Sequence, residues 1–284
     1  MPKIKQAIKR LFYQLAPVSA ASFFAARSRA HSHCLFQEWG VHKVNHLLYE
    51  RLGDKVRSGP FAGLTLTPMT LSEQFGPFLL GVYERELFSA WRTVLNGSYD
   101  CIIDVGAKFG YYAIGLARRF PATPVMAYDI DPWARRAMRE MRAANDAANV
   151  EIKSACTSSD LRSVASRPAL IFSDCEGYEA TLFTEDVITS LSHSVVFIET
   201  HDNFVPEVTA SLKRRFATSH RLAVIESDAG MPDASLDFLT EQQRSLASVE
   251  VRAENRWILC LPNSGRNSGL KYLDNIPSPV IQRD

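Results

Sequence analysis

The stretch CIIDVGAKFGYYAIGLARRF, residues 101–120, decides how this chain is read. Ile102, Ile103 and Val105 form a short apolar run of the kind that becomes a buried strand. Asp104 stands near the end of that strand. Gly106 and Gly110 follow. Neither carries a Cβ, so the backbone can turn sharply there and approach a ligand. From Tyr111 to Phe120 the residues repeat at helical spacing. The unit is strand, tight turn and helix, and the free N–H groups at the helix start suit an anionic or polar ligand.

The pattern Asp-x-Gly-x-x-x-Gly departs from the Gly-x-Gly-x-x-Gly dinucleotide fingerprint. An acid two residues ahead of the first glycine repels a pyrophosphate, but it can accept hydrogen bonds from an ammonium group. That favours S-adenosyl-L-methionine (SAM), a nucleoside with an amino-acid tail and no phosphate. The alternative is an ordinary strand–turn–helix of some other α/β protein. The next segment argues against that alternative. Pro124 to Ala127 reads as a second strand, ending at Tyr128 and Asp129. Asp129 lies roughly twenty residues beyond Gly110, where a Rossmann-like unit places the acid that binds ribose hydroxyls. Asp131 precedes Pro132 and reads instead as a helix N-cap. The helix then runs from Trp133 to about Asn145, with Met138 and Met141 in the core.

A third strand fits Val150 to Ala155. The loop Cys156 to Asp160 follows it, beside the expected position of an adenine. It is read as solvated, with polar groups that could also reach the adenine amine. The fourth strand, Ala169 to Ser173, ends in DCEGYE, residues 174–179. The fifth, Val195 to Ile198, ends in Glu199, Thr200, His201 and Asp202. In open α/β sheets ligands bind beyond the carboxyl ends of the strands. Two adjacent strands would therefore aim Asp174, Glu176, Glu199 and His201 at one place, and charged groups so near a core need a reason. The competing reading makes Asp174 a helix N-cap, with Glu176 and Glu179 favouring the helix dipole and His201 a structural histidine.

These motifs together, DVGAKFGYY, Asp129, DCEGYE and IETH (198–201), resemble the FkbM family of SAM-dependent methyltransferases. The resemblance spans about Gly59 to Leu261. The turn from Gly59 to Gly63 and a helix at Leu80 to Glu84 also look like family features. Lys108 stands where that family usually has Asn, which alters the local contact to the methionine carboxylate. The resemblance implies a Rossmann-like class I SAM methyltransferase fold, with a seven-stranded, mostly parallel sheet in the order 3-2-1-4-5-7-6. It also implies O-methylation of a sugar, glycan or other hydroxyl-bearing metabolite. It does not identify the acceptor.

Composition agrees with that reading. A chain of 284 residues can build one sizeable core plus an appendage. The net charge of +1 supplies no broad attraction to nucleic acid. An Asn-Pro-Pro-Tyr strand end of the kind nucleic-acid amino methyltransferases carry is also missing. The five cysteines, at positions 34, 101, 156, 175 and 260, lack metal-ligand spacing and read as reduced thiols, which fits a cytoplasmic protein.

Lys3, Lys5, Lys9 and Arg10 precede an apolar stretch from Leu11 to Ala26 that superficially looks like a signal peptide. Gln14 and Pro17 interrupt it, so an amphipathic helix is expected, packed on the protein or touching a membrane surface. The expected organisation is a helical appendage over 1–55, then a hairpin and lead-in helix over 56–98. The SAM-binding core follows over 99–262, and a polar tail over 263–284. Within these, Arg57 to Leu66 reads as a β-hairpin and Glu84 to Leu95 as a helix. Pro206 to Phe216 is a further helix, Leu222 to Ile225 a strand, Glu241 to Leu246 a helix, and Trp257 to Leu261 the last strand. The oligomeric state is not legible.

The expected cofactor ligands are Asp104, Gly106, Ala107, Lys108, Gly110 and Asp129. An alcohol proton is hard to remove at neutral pH, so O-methylation benefits from a base. Glu176 is the first candidate and His201 the second, with Asp174 beside them. Asp174 and Glu199, with Glu176 and His201, form a donor set that could hold Mg²⁺ or Mn²⁺. Related sugar O-methyltransferases place acids at the ends of the fourth and fifth strands for this purpose. The same groups could instead form a metal-free base network. Two other functions remain open: a SAM-fold binding protein without turnover, and an NAD-dependent oxidoreductase.

Overall fold

The computed structural model describes residues 17–227, 236–250 and 255–272. The basic run at Lys3 to Arg10 and the end of the tail, from position 273, lie outside them, as does the start of the apolar stretch. Membrane contact by the N-terminal helix, expected above, therefore concerns largely residues outside those described.

A seven-stranded sheet organises the molecule, in the order β3-β2-β1-β4-β5-β7-β6. Its strands are β1 (Cys101–Val105), β2 (Val125–Tyr128), β3 (Val150–Lys153), β4 (Ala169–Ser173), β5 (Val195–Thr200), β6 (His220–Glu226) and β7 (Arg256–Pro262). The first five pair in parallel, while β7 runs antiparallel to both β5 and β6. This is the architecture and strand order expected from the sequence. β5 extends two residues past the expected end, so Glu199 and Thr200 belong to the strand rather than to the loop after it.

The three central strands are buried along their whole length, because helices cover both faces. Period-two alternation divides their side chains between two core layers. Ile102, Leu170, Phe172, Val195, Phe197, Trp257 and Leu259 face one layer. Ile103, Ile171, Val196, Ile198 and Ile258 face the other. The first layer is aromatic. The Phe172 ring stacks on Trp257 at 5.1 Å and meets Tyr112 at 4.4 Å and Trp91 at 5.3 Å.

Ten helices flank or precede the sheet among the described residues up to β6: α1 (Pro17–Trp39), α2 (Val41–Leu52), α3 (Phe75–Leu80), α4 (Phe88–Val94), α5 (Tyr111–Arg119), α6 (Pro132–Ala144), α7 (Ser158–Arg162), α8 (Glu179–Leu182), α9 (Glu185–Ser190) and α10 (Val208–Phe216). A further helix, α11 (Glu241–Ala247), lies between β6 and β7. Their boundaries follow local chemistry. Asp131 caps α6 by accepting from the Trp133 amide at 2.9 Å, with Pro132 in the first turn, as its sequence indicated. Met138 and Met141 are fully buried. The loop after β3 is not simply solvated. Thr157 and Asp160 form a capping box that starts α7, and Tyr128 donates to Asp160 at 3.2 Å.

Two expectations upstream of the sheet need correction. Leu80 to Glu84 is not a helix. α3 ends at Leu80, Gly81 takes a left-handed φ of +72°, and a short 3₁₀ turn over Arg85–Leu87 leads into α4. The segment Arg57 to Leu66 does not form a full hairpin. It is a turn closed by one antiparallel bridge, Lys55 to Thr65, with amide bonds from Val56 to Leu64 and from Gly63 to Val56. Asn145 secures it from α6, donating to the Thr65 carbonyl and accepting its amide, each at 2.8 Å. With these backbone groups satisfied by a side chain, a second strand pair is not needed. Farther upstream, Val44 and Leu48 of α2 join the aromatic core layer, and Asn45 donates to the Leu71 and Glu73 carbonyls, both at 2.9 Å. Among the described residues no helix is long and apolar enough to cross a membrane.

Candidate active site

The carboxyl ends of β1, β2, β4 and β5 point the same way, and the expected site residues gather there. They form two groups. The first is built on β1 and β2. Asp129, just past β2, accepts the Lys108 amide at 2.8 Å and the Asp131 amide at 2.7 Å. Its carboxylate thus fixes the loop between β1 and α5. Burial pushes its pKa up to about 6, against the lowering effect of those two amides. Asp104 is buried beneath the same loop. One of its oxygens, Oδ2, has no hydrogen-bond partner among the described residues. Burial raises its pKa well above the carboxylate range, the Asp174 and Asp129 charges add to this, and the Ala113 amide of α5 partly offsets it. A buried carboxyl with one open oxygen is costly alone and is relieved by a donor such as an ammonium group.

The glycines work differently from the expectation. A Cβ on Gly106, whose φ is +83°, would lie 1.6 Å from the Asp174 carbonyl oxygen. The close approach that requires a glycine here is to the backbone after β4. A Cβ on Gly110, φ +93°, would meet the Met138 side chain of α6 at 2.8 Å. The Gly106 and Ala107 amides both donate to the Tyr128 carbonyl at 2.9 Å, so neither is free to cradle a ligand. Lys108 itself sits at φ +47°, a conformation asparagine adopts more readily than lysine. Its ammonium pairs with Glu73 at 3.1 Å. Nothing in the sequence around Glu73 announced that contact.

The second group lies at the ends of β4 and β5. His201 is almost wholly buried, with Nε2 3.3 Å from Glu199, 3.5 Å from Asp174 and 3.7 Å from Glu176. Its other nitrogen, Nδ1, lies 3.1 Å from Glu179, which also accepts the His201 backbone amide at 2.9 Å and the Gly177 amide at 2.8 Å. Glu179 is fully buried and is the residue the sequence reading undervalued. Its place at the start of α8 suggested a favourable dipole contact, whereas its side chain turns inward to hold His201. Asp174 is not a helix cap, since α8 begins only at Glu179 after Tyr178.

Burial lowers the His201 pKa, but the Glu179 hydrogen bond, the Glu199 contact and the Asp174 charge outweigh it and raise it to about 11. These carboxylates favour the protonated imidazole, a setting that suits His201 less well to a base role than the exposed Glu176. Asp174 moves upward as well, through burial and the facing Glu199 carboxylate. Glu176 is the exposed member, with 72% of its side chain accessible. Asn255 donates to Glu199 at 3.2 Å from the residue before β7, a partner that sequence spacing could not supply. Tyr83, from the lead-in segment, also faces this group. Burial first, then the charges of Glu84, Asp174, Glu250 and Glu199, raise its pKa well above the phenol range.

One oxygen or nitrogen from each of Asp174, Glu176 and His201 lies within 4.8 Å of the others, close enough to share a metal ion. All five cysteines are free thiols, and Cys175 points its sulfur at Glu179 and Ser173, away from that cluster.

No family model matches the chain, and no curated protein matches it. Solved structures do. The O-methyltransferase TomG from Streptomyces achromogenes, in complex with SAM, is 14% identical, with 78% of this chain and 96% of that chain covered at a TM-score of 0.46. A precorrin-6y C5,15-methyltransferase from Geobacter metallireducens is 13% identical over 63% of this chain and 86% of its own, at 0.45. A putative O-methyltransferase from Klebsiella pneumoniae is 16% identical over 63% and 80%, at 0.43. Likenesses this distant leave the chemistry to be argued from the chain's own residues.

Proposed function

We infer that this chain is a SAM-dependent methyltransferase that methylates a hydroxyl of a sugar, glycan or other small metabolite. The observation that carries the reading is the pairing of two acid groups across one sheet end. Asp104 and Asp129 offer a buried open oxygen and a ribose-type carboxylate at β1 and β2. Asp174, Glu176 and Glu199 gather at β4 and β5 next door. The first group suits an ammonium and a ribose, and its two basic side chains are already engaged, Lys108 with Glu73 and Arg135 with the Asp129 carbonyl. The resemblance to the FkbM family supports the same assignment and is the source of the sugar-type acceptor.

The sulfonium methyl is already electrophilic. The protein has to hold an acceptor oxygen in line with the sulfur–carbon bond, about 3 Å from the methyl. The oxygen lone pair forms the new bond to carbon, the carbon–sulfur bond breaks, and its electron pair stays on sulfur as S-adenosylhomocysteine. The hydroxyl proton passes to a carboxylate. Glu176 takes it, because it is the acid of this group that solvent and acceptor can reach. His201 supplies positive charge behind the carboxylates, and Glu179 keeps its ring in place. Phe204, exposed and with its ring 5.8 Å from that of His201, offers an apolar surface beside the carboxylates for an organic acceptor. This proton route does not require a metal ion.

Calorimetry with SAM, S-adenosylhomocysteine and NAD tests the cofactor. Binding of the first two without NAD is expected; tight NAD binding with no response to SAM would sink the reading. Incubating cell extracts with methyl-labelled SAM then tests turnover. Glu176→Gln should abolish label transfer, by roughly 10²-fold or more, while leaving SAM affinity nearly unchanged. Transfer at the parental rate would remove Glu176 from the base role.

A further inference from the structure

We propose that Glu73 is a positioning residue for the cofactor loop: by holding the Lys108 ammonium it keeps residue 108 in the left-handed conformation that presents its amide to Asp129. Two contacts form the chain. Glu73 pairs with the Lys108 ammonium at 3.1 Å, and the Lys108 amide donates to Asp129 at 2.8 Å. Between them lies a backbone at φ +47°, a conformation less favourable to lysine than to asparagine. A residue held there needs support. Asp129 supplies it through the main chain and Glu73 through the side chain. Asp129 meets a ribose only on the SAM reading, and this inference rests on that reading.

Glu73 is a fixed point. Its side chain is 7% accessible, against 44% for that of Lys108. It follows a 3₁₀ turn over Pro68–Ser72, and its amide donates to the Thr70 carbonyl at 3.0 Å. Asn45 of α2 donates to the Leu71 and Glu73 carbonyls, which ties this turn to the helices that precede the sheet. A carboxylate so little exposed needs a cationic partner, and the Lys108 ammonium supplies it. The segment upstream of the sheet thereby reaches into the cofactor loop.

The lysine has somewhere else to go. Asp174 and Glu176 also face its ammonium, without an ion pair. With Glu73 neutralised, the side chain can swing toward Glu176, and the backbone at 108 loses one of its two supports. The effect reaches Asp129, because the Lys108 and Asp131 amides are the two that favour its ionised form.

The test is the affinity of the full-length protein for S-adenosylhomocysteine, read by calorimetry. Glu73→Gln should weaken it about fivefold, the order of one partly buried ion pair. Lys108→Gln should cost as much, since it removes the ammonium and leaves the backbone unsupported. Lys108→Asn also removes the ammonium but adopts the left-handed conformation readily, so it should recover most of that loss. Adding Glu73→Gln to Lys108→Asn should then cost nothing further. Asp100→Asn, which breaks the Arg266 pair at the other end of the sheet, should leave the affinity unchanged. Circular dichroism checks that each variant is folded; if Glu73→Gln is not, the Lys108 variants decide, because that side chain is half-exposed. Affinity within about twofold of wild type in both Glu73→Gln and Lys108→Gln overturns the proposal. So does Lys108→Asn binding as weakly as Lys108→Gln, or a full further loss in the double variant. In each of these cases the wild type still binds S-adenosylhomocysteine and the cofactor reading stands. A wild type that does not bind it removes that reading and this inference together.

Discussion

Replacing Gly106 with alanine puts the link between sheet and site to a quantitative test. Gly40 and Gly106 both sit at left-handed φ, +82° and +83°. A Cβ on Gly40 meets nothing within 4 Å, whereas one on Gly106 lands 1.6 Å from the Asp174 carbonyl oxygen. The backbone term is therefore shared, at about 1 kcal/mol for alanine held in that conformation. The rest belongs to Gly106 alone. Carbon and oxygen cannot approach much within about 3.2 Å, so β1 and the start of the 174–178 loop must part by about 1.5 Å. That disturbs a parallel pair whose register runs from Cys101 and Ala169 to Val105 and Ser173. Forced repacking of this kind costs about 3 kcal/mol beyond the backbone term. With a urea m-value of about 3 kcal/mol/M, Gly40→Ala should lower the unfolding midpoint by roughly 0.3 M and Gly106→Ala by roughly 1.3 M. Urea unfolding followed by tryptophan fluorescence reads both. Equal midpoints for the two variants would refute the argument that Gly106 is there to let Asp174 approach.

Two further outcomes follow from the same geometry. Glu179→Gln keeps an acceptor oxygen for only one side, so its amide nitrogen must face either the Gly177 N–H or the amide and ring of His201, which loosens the hold on His201. Turnover should fall at least about tenfold with SAM affinity unchanged, and a wild-type kcat would show that His201 needs no such support. His220 is held neutral: burial lowers its pKa to about 4, the Arg221 charge adds to this, and its Nε2 faces the Ser194 carbonyl at 3.0 Å. Between pH 6.5 and 4 the unfolded chain binds more protons at this residue than the folded one, so its contribution is present above 6.5 and lost as pH falls through 4. The loss is about 3 kcal/mol, and His220→Gln should flatten the pH dependence of the unfolding midpoint across that window; parallel curves for the two proteins would refute it.

The sheet was legible because its strands carry their own signals. Runs such as Ala169–Ser173 and Val195–Ile198 are too apolar and too short to be anything but buried strands, and Asp131-Pro132 marks a helix start by local chemistry alone. The upstream segment was harder, because its form depends on distant partners. Asn145, eighty positions away, satisfies Thr65, and the residues after Leu80 turn where a helical reading had continued. The site divides in the same way. Acids at strand ends announce themselves, so Asp104, Asp129, Asp174, Glu176 and Glu199 were all singled out, and the fold gathers them at one end of the sheet. Their surroundings were not legible, since burial and contacts across the sheet set them. Glu179 and Glu176 are three residues apart in one acidic run. The strand-to-helix turn sends one inward to grip both the backbone and the ring of His201 and leaves the other in solvent. Sequence spacing records that both carry a carboxylate, but only the turn decides which one holds the histidine and which one stays in solvent. The same turn surrounds His201 with carboxylates, which favour its protonated form and shift the balance between the two base candidates toward Glu176.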